Sequence, residues 1–231
     1  MLPALTGAVS QGILWGVMVL GLFVTYKMLD IADLTVDGSF ALGGCVAAVA
    51  SVSLGLDPLV AILLGMLAGV VAGLVTGLLH TVFDIPAILA GILTQIALWS
   101  VNLRVMGKSN TPLLNVDTVF TRISALTGLN QAASAMVVGL VVAAALVAAM
   151  YWFFGTEIGS ALRATGNNED MCRALGIDVR VTKLIALALS NGLVGLSGAL
   201  ICQSQKYADI GMGTGAIVIG LAGTASALLL R

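Results

Sequence analysis

Charge is what this sequence has least of. Only 9% of its 231 residues are Asp, Glu, Lys or Arg, against about a quarter in an ordinary soluble domain, which argues against a water-soluble globule. Ten Lys and Arg against eleven Asp and Glu leave a net charge of -1. Nucleic-acid binding needs clustered cations, so no nucleic-acid partner is expected. A single histidine, His80, with no nucleophile elbow excludes a Ser-His-Asp hydrolase, and no catalytic residue is assigned. Three cysteines, Cys45, Cys172 and Cys202, are an odd number without metal or CxxC spacing. They imply no disulfide framework, no metal site and no cofactor. No cation precedes Lys27, so the basic head of a cleaved signal peptide is missing and residues 1–28 read as a membrane element.

What remains is long, uncharged and apolar. The charged residues leave seven uncharged stretches, 1–26, 38–56, 58–83, 85–103, 123–156, 184–205 and 210–230, each long enough for the roughly 20 residues of helix that cross a bilayer. Helices satisfy their own backbone in lipid, and none of these runs alternates as a strand would. The chain therefore reads as an all-α polytopic membrane protein, one domain over 1–231. About seven transmembrane helices are expected, near 8–28, 36–54, 59–80, 86–105, 132–154, 182–203 and 213–230. Asp57-Pro58 and Asp84-Ile85-Pro86 mark tight turns with proline opening the next helix. Gly65, Gly69, Gly73 and Gly77 form a stripe that lets two backbones approach, first within the bundle and alternatively between two copies. With the link at 155–181 inside, Lys27, Arg163, Arg173, Arg180, Lys183 and Arg231 lie inside while Arg104, Lys108, Arg122 and Lys206 lie outside. That bias leans toward an outside N-terminus and an inside C-terminus.

Three polar segments interrupt this pattern. In the 155–181 link, Asn167 or Asn168 can cap a short helix. Glu169 and Asp170 suit its first turn and Gly176 ends it. Met171, Ala174 and Leu175 share one face, and so short a helix wants a partner surface. The second segment, Asp33 to Gly44, gathers Asp37, Gly38, Ser39 and Gly43 at the head of a membrane helix, where ionisable groups are costly and face a watery path or a partner. The third, Asp209 to Gly215, brings Thr214 and Gly215 to another apolar run. Entering from opposite sides, the two suggest an inverted repeat with broken helices flanking a pathway. Gly107-Lys108-Ser109 copies the end of a P-loop, but Asn102 stands where the first glycine belongs, so no nucleotide site is expected. Gln95, Asn102 and Asn191 read as interhelical glue, and Trp15, Trp99 and Trp152 as interfacial anchors.

The spacing Gly159-x3-Arg163-Ala164-x3-Asn168-x5-Ala174-Leu175-Gly176-Ile177, followed by Lys183-Leu184 and by the run from Leu189 to Leu200, resembles the permeases of branched-chain amino acid and ribose ABC importers. Asp33-Leu-Thr-Val-Asp-Gly-Ser39, Gly73 to His80, Ile85-Pro86, Leu89 to Thr94 and Asn102 to Gly107 are most similar to single-permease importers linked to tryptophan or tyrosine uptake. The resemblance implies a bacterial inner-membrane, multi-pass permease of an importer for an amino acid of the aromatic kind, with ATP hydrolysed by a separate ABC ATPase. It implies docking of that ATPase at Arg163, Asn168, Glu169, Met171, Ala174, Leu175 and Gly176. The same family pattern implies a second permease copy and an extracytoplasmic substrate-binding protein. The substrate pathway is expected at Asp37, Gly38, Ser39, Gly43, Thr214 and Gly215. Permeases of this type continue for one or two further helices, so the chain reads as a truncated one. The alternative from another class is an ion-coupled secondary transporter using Asp37 or Asp209.

Overall fold

The computed structural model describes residues 2–114, 116–128 and 130–229. Its helices are α1 (Leu2–Phe23), continued by a π-helical turn at Val24–Met28, α2 (Thr35–Val52), α3 (Pro58–Thr81), α4 (Ala87–Met106), α5 (Val119–Thr127), α6 (Gln131–Phe154), α7 (Glu157–Asn167), α8 (Glu169–Ala174), α9 (Val179–Gln205) and α10 (Ala216–Leu229). Two short strands, β1 (Asn110–Pro112) and β2 (Tyr207–Asp209), pair antiparallel with Asn110 opposite Asp209. The all-α polytopic class holds, and six helices among the described residues are long and apolar enough to cross a membrane. The expected seventh is represented by α10, whose 14 residues fall short of the roughly 20 that a span takes. Arg231, counted above toward the charge bias, lies outside the described residues.

The termini of these helices follow from local chemistry. Asp57 accepts the Leu59 N–H at 3.0 Å with Pro58 in the first turn of α3, the capping arrangement that satisfies an orphan donor where proline costs none. Arg122 of α5 pairs with the same Asp57 carboxylate and, as first cause, holds it below the ordinary carboxylate range. Gly107 and Gly128 end α4 and α5 at φ +67°, the left-handed conformation that glycine adopts without a Cβ penalty.

The spans alternate between two ends of the bundle. Met28, the α3–α4 turn, α7 and α8 share one end, where Gly166 abuts the Met28 carbonyl and His80 and Asp84 face Arg173 and Lys183 across a cleft. Asp57, α5 and the β1–β2 pair share the other, tied by Arg122 to Asp57 and by Gln203, which donates to the Pro58 carbonyl at 2.9 Å and accepts the Val119 N–H at 3.1 Å. At the first of these ends His80 Nδ1 bonds the Ile85 carbonyl at 2.8 Å, so the single histidine braces the α3–α4 turn.

Helix α9 is the axis of the bundle, with α1, α2 and α3 against it. The glycine stripe on α3 is the seam with α9: a Cβ on Gly69 would stand 2.2 Å from the Asn191 carbonyl oxygen, and one on Gly73 would stand 2.3 Å from that of Leu187. The stripe is thus used within the chain, as the first reading held. Hydroxyls fasten the same axis, since Ser190 donates to Gly21 O at 2.8 Å and Ser197 to Leu14 O at 2.9 Å. Such bonds are the glue available where lipid supplies no hydrophobic drive between helices. Trp15, expected as an interfacial anchor, instead stacks on Phe40 of α2 with ring centroids 5.0 Å apart and packs against the core.

Candidate functional site

Chain connectivity brings the two glycine-rich segments together inside the bundle. Leu34 lies beside Gly91 and Gly38 beside Gln95 and Leu98, so α2 begins one turn inside the end of α4 and Gly38 reaches its middle. From the opposite end, residues 210–215 fold back after β2 as successive turns until Gly213 rests on the Asp37 backbone, where a Cβ would stand 1.9 Å from its carbonyl oxygen. There Asp37 caps α10: its Oδ2 accepts the Gly215 N–H at 3.1 Å and its Oδ1 the Ile217 N–H at 2.9 Å. A carboxylate at a helix N-terminus satisfies orphan donors and meets the positive end of the dipole. Here the carboxylate comes from 178 residues away.

Around this clasp the expected pathway residues divide. Asp37 and Gly38, with Thr214, line a small cavity of about 30 Å³ that α4 completes with Gln95, Trp99 and Asn102. Gly215, at φ +82°, turns the chain into α10 beside it. Ser39 and Gly43 point the other way, into α9. The Ser39 hydroxyl donates to Asn191 Oδ1 at 2.6 Å, and Asn191 Nδ2 donates to Asp33 Oδ2 at 2.6 Å. Gly43 meets the Gly195 backbone. All four of Asp33, Ser39, Gly43 and Asn191 are buried, so this network is a joint between α2 and α9. Asn191 is the glue that its place in an apolar helix suggested.

Taken singly, Gln95, Trp99 and Asn102 carry no sequence signal for this cavity. Their spacing of four and then three residues puts them on one face of α4, and that polar stripe in an otherwise apolar helix was the available signal.

At the end with α7 and α8, the 155–181 link is more ordered than the sequence suggested. Residues 157–167 form a full helix, capped by Thr156, which accepts the Gly159 N–H at 3.3 Å. Leu162 and Thr165 are buried on its inner face, so packing against the α1 turn stabilises a helix that its polar composition alone does not announce. Arg163 donates to the Phe154 carbonyl at 2.8 Å, placing a cation at the C-terminus of α6. Asn168 caps α8 as expected, accepting the Met171 N–H at 2.9 Å. Glu169 is bridged to Lys183 at the head of α9 and to Arg173 one turn on. Gly176, at φ +82°, ends the unit. Met171 and Leu175 are 52% and 68% exposed, and Ala174 lies open between them. Beside this face an open cleft of about 630 Å³ runs between the α8–α9 turn and His80 and Asp84.

Six membrane-length helices among the described residues, two glycine-rich segments clasped within the bundle, and a helical projection at one end fit a multi-pass membrane protein of transporter type. Residues 4–229 match the family described as branched-chain amino acid transport system, permease component, and the chain belongs to that family, whose members serve ABC-type transport systems. It is 36% identical over 221 residues to a tyrosine transport system permease protein of Clostridioides difficile (strain R20291), covering 96% of this chain and 72% of that protein. It is 30% identical over 214 residues to an uncharacterized protein of Rickettsia prowazekii (strain Madrid E), covering 93% of this chain and 73% of that one. No solved structure matches the chain.

Proposed function

We propose that this chain is the permease subunit of an ATP-driven importer for an aromatic amino acid in the bacterial inner membrane. Two copies enclose the pathway, a separate ABC ATPase docks on α7 and α8 and hydrolyses the ATP, and an extracytoplasmic binding protein delivers the solute. The observation that carries this reading is the exposed apolar face of α8. Six residues make too short a helix to stand alone. This one is capped, ion-paired to α9 and holds Met171, Ala174 and Leu175 outward among charged neighbours. The rigid mounting suits a part that transmits force. The aromatic substrate is supported by the tyrosine system of the C. difficile relative. The ion-coupled alternative finds less support at Asp37, both of whose oxygens are engaged by backbone donors, than at Asp209, of which Oδ1 accepts the Gly211 N–H.

The test is co-purification and uptake with the permease and its ATPase expressed together. Replacing Ala174 and Leu175 by Asp should release the ATPase and abolish ATP-dependent tyrosine uptake, with membrane insertion unchanged. ATPase retained by the double variant, or tyrosine uptake by the parent that runs on an ion gradient without the ATPase, would overturn the proposal.

A further inference from the structure

Helix α8 is tied to α9 in two ways, through the chain and through a pair of side chains. The chain link is residues 175–178, which turn at Gly176 with φ +82°. Glycine holds that conformation without penalty but supplies no side chain to stiffen it. The other tie is Lys183 Nζ to Glu169 Oε1 at 2.5 Å, among the described residues the one side-chain bond between the two helices. It is also the most enclosed ion pair among them. The Lys183 side chain is 13% exposed, while every partner in the other three pairs is 38% exposed or more. Exposed pairs contribute little, whereas a partly buried one is screened less by salt. Lys183 gains nothing from its own helix, since it stands in the second turn of α9 and the helix dipole favours a cation at the opposite end. Its partner there is Glu169.

Further along, the same helix holds the head of α2. From Lys183 to Asn191 α9 runs about 12 Å, at about 1.5 Å of rise per residue. There Asn191 accepts from the Ser39 hydroxyl and donates to the Asp33 carboxylate, both at 2.6 Å. Asp37, on the same turn of α2 as Ser39, caps α10. The exposed face of Met171 and Leu175 is therefore joined to both glycine-rich segments by a series of direct bonds: Glu169 to Lys183, Asn191 to the α2 head, Asp37 to α10. Rigid helices linked by such bonds can carry a displacement from one site to another. We propose that the Glu169–Lys183 pair is the strut that carries ATPase-driven movement of α8 into α9, which makes Lys183 a positioning residue for transport. The inference rests on the permease reading above and deepens it: docking belongs to the exposed face of α8, and transmission belongs to this one ion pair behind it.

The test separates docking from transmission. Permease and ATPase are reconstituted together in proteoliposomes with the binding protein supplied, and three quantities are read: ATPase bound, ATP hydrolysed and tyrosine taken up. Lys183→Met keeps the apolar stem and drops the charge. It should retain the ATPase and its hydrolysis while tyrosine uptake per ATP falls at least about fivefold, the lower end of coupling between linked sites. Lys183→Arg, which keeps the charge, should hold the parental ratio. Because Lys183→Met can fail to insert, Glu169→Gln provides a second arm and should lower the ratio in the same direction. The double variant should fall no further than either single one, since both remove the same bond. A merely structural role would instead lower bound ATPase, hydrolysis and uptake together. Loss of bound ATPase in Lys183→Met, failure of both single variants to insert, or a parental ratio in either of them overturns the strut. Absence of ATP-dependent tyrosine uptake in the parent refutes the permease assignment instead.

Discussion

Replacing Asp37 by Ala removes the clasp between the α2 head and the α10 N-terminus, and its cost can be worked from the geometry. Two backbone donors, Gly215 N–H and Ile217 N–H, lose a carboxylate acceptor at 3.1 and 2.9 Å. Hydrogen bonds to charged groups contribute about 1.5–3 kcal/mol each, and partial exposure of Asp37 argues for the lower figure, giving a loss of about 3 kcal/mol. For a chain of this length 1 kcal/mol moves the melting temperature by about 2–4 °C, so Asp37→Ala should melt roughly 6–12 °C below the parent. The loss should be local before it is global. Hydrogen exchange at Gly215 and Ile217 should accelerate roughly a hundredfold, since each 1.4 kcal/mol is a factor of ten, while the α3–α9 seam exchanges as before. Asp37→Asn keeps one acceptor oxygen and turns an amide donor toward the other N–H, so it should lie between the two. An unchanged melting temperature together with unchanged exchange at Gly215 and Ile217 in Asp37→Ala would refute the clasp.

Two further expectations concern packing and orientation. Gly73→Ala places a Cβ 2.3 Å from the Leu187 carbonyl oxygen, whereas Gly77→Ala meets nothing nearer than 3.3 Å. The first should cost about 1–3 kcal/mol of overpacking and the second far less, and a reversed order of melting temperatures in detergent would contradict the α3–α9 seam. With Lys27, Arg163, Arg173, Arg180 and Lys183 inside, an impermeant thiol reagent added to whole cells should label a cysteine placed at the exposed Ala125 of α5 but not one at the exposed Ser160 of α7; the opposite pattern inverts the topology. Native Cys172 is 0% exposed and cannot serve as the inner reporter.

The local parts of this architecture were legible because their causes are local. Asn168, Glu169, Asp170 and Gly176 spell out a capped short helix within nine residues, and the helix forms there. The start of α2 at Thr35 and the proline-led start of α3 were equally readable. What escaped depends on partners distant in sequence. Helix α7 exists because Leu162, Thr165 and Gly166 dock against the α1 turn, which no window over a polar link can see. The expected helix from 213 begins at Ala216, since Gly213 to Gly215 are held as turns on Asp37. Within the expected pathway, alternation around α2 separates Asp37, which faces α4, from Ser39, which faces α9. Ser39 is 0% exposed, and a bulky residue there would test packing. Gln95, Trp99 and Asn102 share one face of α4 and line one cavity, a grouping that shows only when the three are taken together.

The span of the Asp37 clasp also sets the order in which the molecule can be completed. The carboxylate that caps α10 enters the membrane with α2, and its backbone donors are synthesised 178 and 180 residues later. At translation rates of 5–20 residues per second, that interval is roughly 10–35 s. Through it α2 carries a carboxylate at membrane depth without its final donors, a state that is costly in hydrocarbon. The nascent chain must therefore keep the head of α2 next to water or the insertion machinery until Gly215 to Ile217 arrive. The clasp itself cannot form before residues 215–217 have been made, so the joint between the α2 head and α10 is among the last contacts the chain can close.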